Sequence, residues 1–467
     1  MNKFIDAIKD CVNKFRSLMG KPVRIIGHLD ADGIAASSIL IQALRREGLK
    51  FAVSIVRQID EELLDELKRE DYEVIFFVDL GSGYLNLINK LKKKIFVLDH
   101  HQIEKVDNLN KDIIQLNPYL FGIDGTKDIS GSGVVYLFCK ELNEKNKDLA
   151  YLAVIGAIGD MQENNGFRGI NNSILDDAVE SKKIEVKRGL RMFGLQTRPL
   201  YKILQYSTDP FIPNVTGSEE GAKLFLKEIG IDIKAGGKYR KLIHLDDEEM
   251  KKLVTSIILK RLGSEKEPED VLGNIYLLTE EKEEGSTKDA REFATLLNSC
   301  GRMGKASLGI GSCLSNDKLR KEAYSLLLEY KKELIEALNW FYKSKKKGDI
   351  LEKEGFVIIN AGDEIRDTLI GTVTSIVSKS NLYRKGTILI GMAYTLGNEI
   401  KVSVRCVDSC YLDLSLLVRK IVSRVGGLAG GHVSAAGAII PQEREEDFIK
   451  QAMDILNKEV LNRKIIS

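Results

Sequence analysis

Between residues 22 and 101, short apolar runs and helix-spaced segments alternate four times with brief connections. PVRIIGH (22–28), FAVSIVR (51–57), VIFFVDLGSG (74–83) and IFVLDHH (95–101) read as strands. GIAASSILIQALRR (33–46), IDEELLDELKRE (59–70) and LNLINKLKK (85–93) read as the helices between them. Strands that alternate with helices in this way pair in parallel, so the pattern predicts an α/β fold with a doubly wound sheet. In such a sheet the strand C-termini face one crevice, and ligands bind there.

The chain has 467 residues, too many for one ordinary core. We read residues 1–185 as the parallel α/β domain, with further helices near 132–143 and 147–159. Residues 186–315 read as a charged, mostly helical middle region. Residues 316–348 read as one connector helix, with Leu319, Ala323, Leu326, Tyr330, Leu334, Leu338 and Phe341 on one face. Asn316 or Asp317 can cap its start, and KSKKKG can end it. The single tryptophan, Trp340, is expected on its buried side. Residues 349–467 read as a smaller α/β unit whose strands include EGFVIINAG, GTILIGMAY and EIKVSVRC.

No apolar run approaches the ~18 residues of a membrane span, which predicts no membrane partner and a cytoplasmic protein. The N-terminus, MNKFIDAIKDCVNKF, reads as an amphipathic helix and not as a signal peptide. Six scattered cysteines form no CxxC pair, which favours free thiols. Net charge is only +2, so any nucleic-acid contact must come from local patches.

The strand ends carry the chemistry. HLDADG supplies His28, Asp30 and Asp32; FFVDLG supplies Asp79; LDHH supplies Asp99, His100 and His101. The apolar helix AVIGAIGD adds Asp160. A lone strand-end aspartate is usually a helix cap, and a lone DADG is usually a turn. Gathered in one crevice, these acids would repel one another and resist ionisation. Divalent cations relieve that repulsion; mixed imidazole and carboxylate ligands suit Mn2+, Zn2+ or Fe2+, while a carboxylate-dominated set leans towards Mn2+ or Mg2+. If the HLDADG segment is extended, positions 28, 30 and 32 share one side and converge.

HLDADG, FFVDLG, LDHH and AIGD resemble, in order and spacing, the four motifs of the DHH phosphoesterase superfamily. VSVRC followed by GGHVSAAG resembles the DHH-associated C-terminal domain. REFATLLNSCGRMGKASLGIG and VTGSEEGAKLFLKEIGI resemble segments of archaeal RecJ-like single-strand-specific exonucleases. The resemblance implies a two-Mn2+ site, with Mg2+ as the alternative. His28, Asp30 and Asp79 would hold one ion; Asp32, Asp79, His100 and Asp160 would hold the other. His101 would contact the scissile phosphate, and Asp99 would support the histidines. Bacterial RecJ motifs commonly carry Asp where this chain has His28. Two such ions share and deprotonate a water, so no protein nucleophile is required.

GGLAGGHVSAAG lets backbone approach a phosphate closely, although glycine and alanine runs also serve close packing. Arg405, Gly430, Gly431 and His432 are therefore the expected substrate-binding residues, facing the metals across a cleft. Tyr201, Tyr206 and Phe211 read as core rather than as a stacking platform. The expected activity is exonucleolytic hydrolysis of single-stranded DNA in repair or replication, with RNA left open as a second substrate. The alternatives are an oligoribonuclease or nucleotide phosphatase, a cyclic-dinucleotide phosphodiesterase, and a replisome scaffold that binds the GINS complex.

Overall fold

The fold is that of a computed structural model, which describes residues 2–207, 210–262, 267–380, 382–408, 410, 412–431 and 433–466. It divides into two compact units, Met1–Leu326 and Leu327–Ser467.

The first unit is built on five strands: β1 (Val23–His28), β2 (Phe51–Val56), β3 (Val74–Val78), β4 (Lys94–Leu98) and β5 (Ile113–Leu116). Their order is β2-β1-β3-β4-β5, and every pair is parallel. Val23 of β1 pairs with Phe51 on one side and with Val74 on the other. The winding reverses between β1 and β3, which is where a doubly wound sheet opens its ligand crevice.

β3 is buried along its whole length, and β4 along Ile95–Leu98. A strand covered on both faces must read as an unbroken apolar run, as VIFFV and IFVL do. On one face Phe76 and Phe96 stack at 4.7 Å. Phe15 of the helix Asn2–Arg16 and Phe138 of the helix Gly131–Leu142 meet Phe76 edge-on. On the other face Ile26 and Phe77 pack with Leu64, Leu67 and Ile88.

The segment 85–93 forms only a single helical turn, Leu85–Ile88. Asn89 ends it: its side chain donates to Asn108 O at 2.9 Å and accepts from Asn110 N at 2.8 Å. Such bonds compete with helix propagation.

The middle of the chain is not helical throughout. Strands Ile184–Leu190 and Leu272–Leu278 pair antiparallel and bracket the helices Leu200–Gln205, Glu219–Glu228 and Asp247–Arg261. These helices close over a core of their own that includes Leu204, Phe225, Leu253 and Ile257. The helix Ala290–Arg302 then returns to pack against Ala31–Arg46 and Ala150–Gly159.

The helix Asp317–Lys347 spans 31 residues, about 46 Å at 1.5 Å per residue. Asn316 caps it, accepting from Leu319 N at 3.0 Å. Of the expected buried face, Ala323, Leu326, Tyr330 and Phe341 are buried and Leu319, Leu334 and Leu338 are half-buried. Trp340 is only half-buried.

The second unit is a six-stranded mixed sheet in the order Leu351–Lys353, Phe356–Asn360, Ile388–Tyr394, Glu399–Cys406, Ala435–Pro441, Leu428–Gly431. Only the second and third of these strands are parallel. The helices Leu414–Val425 and Glu445–Ile466 cover one face through Leu417, Ile421, Phe448 and Leu456. Among the described residues, no helix is long and apolar enough to cross a membrane.

Candidate metal centre

The centre lies at the C-terminal edge of the first sheet. β1 ends on His28, β3 ends one residue before Asp79, and β4 ends one residue before Asp99. The segment after His28 is not extended. Asp30 caps the helix Ala31–Arg46, accepting from Gly33 N at 3.0 Å, and Asp32 lies in that helix's first turn. The helix turns the two carboxylates to different neighbours, so HLDADG serves two clusters instead of one.

In the first cluster, His28 Nδ1 lies 3.0 Å from Asp30 Oδ2 and 3.4 Å from Asp79 Oδ2. In the second, His100 Nε2 lies 3.2 Å from Asp79 Oδ1 and 3.8 Å from both Asp32 Oδ2 and Asp160 Oδ2. Candidate ligand atoms of His28, Asp30 and Asp79 lie within 4.8 Å of one another, as do those of Asp32, His100 and Asp160. Asp79 belongs to both, giving one oxygen to each side.

Asp79 is 1% exposed, and neither carboxylate oxygen has a well-formed hydrogen bond; the nearest polar atoms are the imidazole nitrogens of His28 and His100. A buried carboxylate without donors is strongly unfavourable unless a cation neutralises it. Its backbone stands at φ 60°, a left-handed conformation that Asp tolerates better than most residues. The donor set and the unmatched oxygens fit a pair of divalent ions.

The surrounding residues aim these groups. His100 Nδ1 donates to Gly125 O at 2.6 Å, which leaves Nε2 as the nitrogen that faces the carboxylates. Gln162 donates to the same Gly125 O at 2.9 Å and to Asp160 Oδ2 at 2.8 Å. Asn171 fixes the amide by donating to Gln162 Oε1 at 2.7 Å. Asp32 sits at the N-terminus of the helix Gly131–Leu142, accepting from Gly131 N at 2.7 Å and Ser132 N at 3.1 Å, and from the Ser132 hydroxyl. Helix N-termini favour such anions. A Cβ on Gly131 would stand 2.2 Å from Asp79 Oδ1, and one on Gly156 would stand 2.4 Å from Asp32 Oδ1.

Asp99 is fully buried and serves a different purpose. It accepts from Ser82 N and His100 N, each at 2.8 Å, and its Oδ1 lies 2.8 Å from His101 Nδ1. Asn117 holds the other end of this turn, donating to His101 O at 2.9 Å. His28, Asp30, His101 and Asp160 are each about a quarter to a third exposed, so the centre opens on one side.

The charges show the strain of this crowding. Burial, and then Asp79, push the Asp32 carboxyl up to about 7. Burial with Asp32 nearby lifts Asp160 to about 6 against the pull of His100. Burial also opposes ionisation of Asp30 and Asp99, but His28 and His101 outweigh it and hold both below the usual carboxylate range. Against burial, Asp30, Asp160 and Asp99 raise His28, His100 and His101 respectively.

In the second unit, Arg405 pairs across the sheet with Ala435, and Gly431 pairs with Ala436, so both stand near one end of that sheet. The Arg405 guanidinium donates to Val404 O at 2.8 Å. Gly431 has φ 133°, and a Cβ there would crowd Ala435 O at 2.5 Å, whereas Gly430 has open space around it. His432 lies outside the described residues.

Gly131, Ser132, Gln162, Asn171 and Ser82 were not legible as site residues. The one available signal was SGSG at 130–133, a small-residue run at a helix start. Asn298, whose Oδ1 accepts from Ala31 N at 2.9 Å, lies 267 positions away and had none.

Fold and centre together define a doubly wound α/β protein with an acid–histidine site at its switch point. The chain belongs to the DHH family. Its family models match the DHH N-terminal domain at residues 22–157, the DHH-CID domain at 192–273 and the DHHA1 domain at 355–458. It is 33% identical to the uncharacterized protein MJ0831 of Methanocaldococcus jannaschii over 94% of both chains. It is 27% identical to a putative SPbeta prophage-derived single-strand DNA-specific exonuclease, YorK, of Bacillus subtilis, over 39% of this chain and 34% of that one. Its fold is similar to RecJ of Thermus thermophilus in complex with Mn2+ (TM-score 0.59, 16% identity), covering 97% of this chain and about half, 55%, of that one. It is also similar to CDC45 of Entamoeba histolytica (TM-score 0.66, 13% identity), covering 98% of both.

Proposed function

We propose that this chain is a two-metal phosphodiesterase that degrades single-stranded nucleic acid from an end, with DNA as substrate and RNA as a further one. The observation that carries this reading is Asp79, buried between two clusters with one unmatched oxygen turned to each. His28, Asp30 and Asp79 would hold one ion, and Asp32, Asp79, His100 and Asp160 the other. Mixed imidazole and carboxylate donors favour Mn2+, with Mg2+ as the alternative. When bound, the ions would supply Lewis-acid activation of water and neutralise charge on the phosphate.

The chain's own residues do the rest. Gly125 and Gln162 orient His100 and Asp160. Asp99 commits His101 Nδ1 to its own carboxylate, so Nε2 is the nitrogen that meets the phosphate and protonates the leaving oxygen. Arg405 and the backbone at Gly430 and Gly431 would grip the strand, with His432 adding a donor. The exonuclease named among the sequence relatives, and the RecJ likeness of the fold, support this assignment.

End-labelled single-stranded DNA and RNA incubated with Mn2+ test it. Stepwise shortening by the parent chain, lost in Asp79→Asn, is the expected result. Absence of hydrolysis with both Mn2+ and Mg2+ overturns it and favours the second reading, a scaffold that binds the GINS complex, which the fold's likeness to CDC45 motivates. Either reading is consistent with a role in repair or replication.

A further inference from the structure

The middle region carries a surface that the centre does not use. Tyr206 is 51% exposed and Tyr239 is 42% exposed, while Tyr201 is buried. Tyr201 and Tyr239 lie 5.1 Å apart, and Lys202 Nζ stands over both Tyr201 (5.3 Å) and Tyr206 (5.4 Å). Lys223 faces Tyr201 at 4.9 Å, Lys234 faces Tyr239 at 4.6 Å, and Arg198 faces Tyr206 at 5.5 Å. Such pairs usually occur about once in 70–80 residues, whereas these fall within residues 198–239.

Charge points the same way. Residues 198–241 hold eight lysines and arginines against five acids, while the whole chain is nearly balanced. Tyr206 and Tyr239 are not needed to close the core beneath them, which is built from Leu204, Phe225, Leu253 and their neighbours. Exposed rings flanked by cations suit one ligand chemistry: unpaired bases stack on the rings, and the adjoining phosphates meet the ammonium and guanidinium groups. Duplex nucleic acid offers no free base face for such stacking.

One acid holds the surface in check. Glu219 pairs with Lys202 at 2.5 Å and Lys223 at 2.6 Å. A phosphate arriving at these lysines must compete with that carboxylate. This is a feature of a weak, reversible contact, suited to a strand that must move as its end is removed.

We propose that the Tyr206–Tyr239 surface is a second binding site for single-stranded nucleic acid, separate in sequence from both the metal residues and the glycine-rich segment. The proposal extends the nuclease reading, but its test needs no hydrolysis. Full-length Asp79→Asn protein in EDTA is titrated into a 5′-fluorescein thirty-nucleotide poly(dT), and anisotropy is followed at two salt concentrations. Replacing both Tyr206 and Tyr239 by alanine should weaken binding at least about tenfold, given what stacking on one aromatic contributes. Glu219→Gln should tighten binding and steepen its salt dependence, because it releases two cations. The second variant guards against a folding artefact, since a damaged surface would not bind more tightly. Failure of the parent to bind, or both variants binding like the parent, would overturn the proposal. A fluorescein-labelled acidic peptide that binds the parent and not the two-tyrosine variant, where poly(dT) does not bind, would reassign the surface to a protein partner. Loss of Mn2+-dependent hydrolysis in the unmodified chain would count against the nuclease reading alone.

Discussion

Asp99 Oδ1 and His101 Nδ1 are joined at 2.8 Å, while His100, between them, turns its Nε2 to Asp79, Asp32 and Asp160. Adjacent imidazoles therefore face different tasks. We expect His101→Ala to keep its Mn2+ affinity and to lose about 10²–10⁴-fold in rate, the usual worth of a general acid. His100→Ala should lose affinity in calorimetric titration. Equal losses of affinity in both variants would remove the division of labour.

Asp79 is held at an energetic disadvantage when no cation is present. Asp79→Asn keeps the shape and the tolerance of positive φ while removing the buried charge. In EDTA the variant should be more stable than the parent by about 1–3 kcal/mol in urea unfolding, the range for relieving an unmatched buried group. With Mn2+ present the order should reverse, because only the parent gains from binding. A variant less stable than its parent in EDTA would mean that Asp79 has donors of its own.

Gln162 ties two candidate ligands together, Asp160 directly and His100 through Gly125 O. Gln162→Leu fills the same space without the donors. Losses of partners of this kind usually lower metal affinity about 10–100-fold, which titration with Mn2+ would detect while circular dichroism stays unchanged. Unchanged affinity would reduce Gln162 to a packing residue.

Two glycines make a matched pair of tests. Gly131→Ala places a methyl 2.2 Å from Asp79 Oδ1, so the carboxylate must move and Mn2+ affinity should fall. Gly430→Ala meets nothing within 4 Å, so the second unit should fold and melt as before. Any rise in KM for a long strand in Gly430→Ala then reports on the substrate. If Gly131→Ala binds Mn2+ like the parent, the shared position of Asp79 is wrong.

Much of this was legible because β3 is apolar along its length, β1 and β4 are so apart from Arg24 and Lys94, and all three end abruptly in acids and histidines. Burial on both faces writes that pattern into the sequence. β5 was harder to read, since Ile113–Leu116 is four residues long and ends with no marker. The turn at HLDADG misled for a local reason: alternating spacing is the same whether the segment is extended or caps a helix, and only the cap at Asp30 separates Asp32 from His28. Tyr206 and Phe211, expected in the core, stand on the surface, because an aromatic beside buried leucines carries no mark of which way it points. Gln162, Ser132 and Asn298 act through hydrogen bonds to groups far along the chain, and such pairings leave no periodicity.

The strands Ile184–Leu190 and Leu272–Leu278 pair so that Leu190 lies opposite Leu272. Everything from 191 to 271 therefore departs and returns through the same doorway. A segment tethered in this way is nearly interchangeable: doubling its length would add only about 0.6 kcal/mol of closure entropy. Beyond the doorway the segment is held by Gln196 N and the Thr197 hydroxyl, which donate to Glu292, and by Lys241 and His244 at Glu284. A change of length between these anchors therefore costs little at the centre, whose acids and histidines lie on the strand ends and helices outside 191–271.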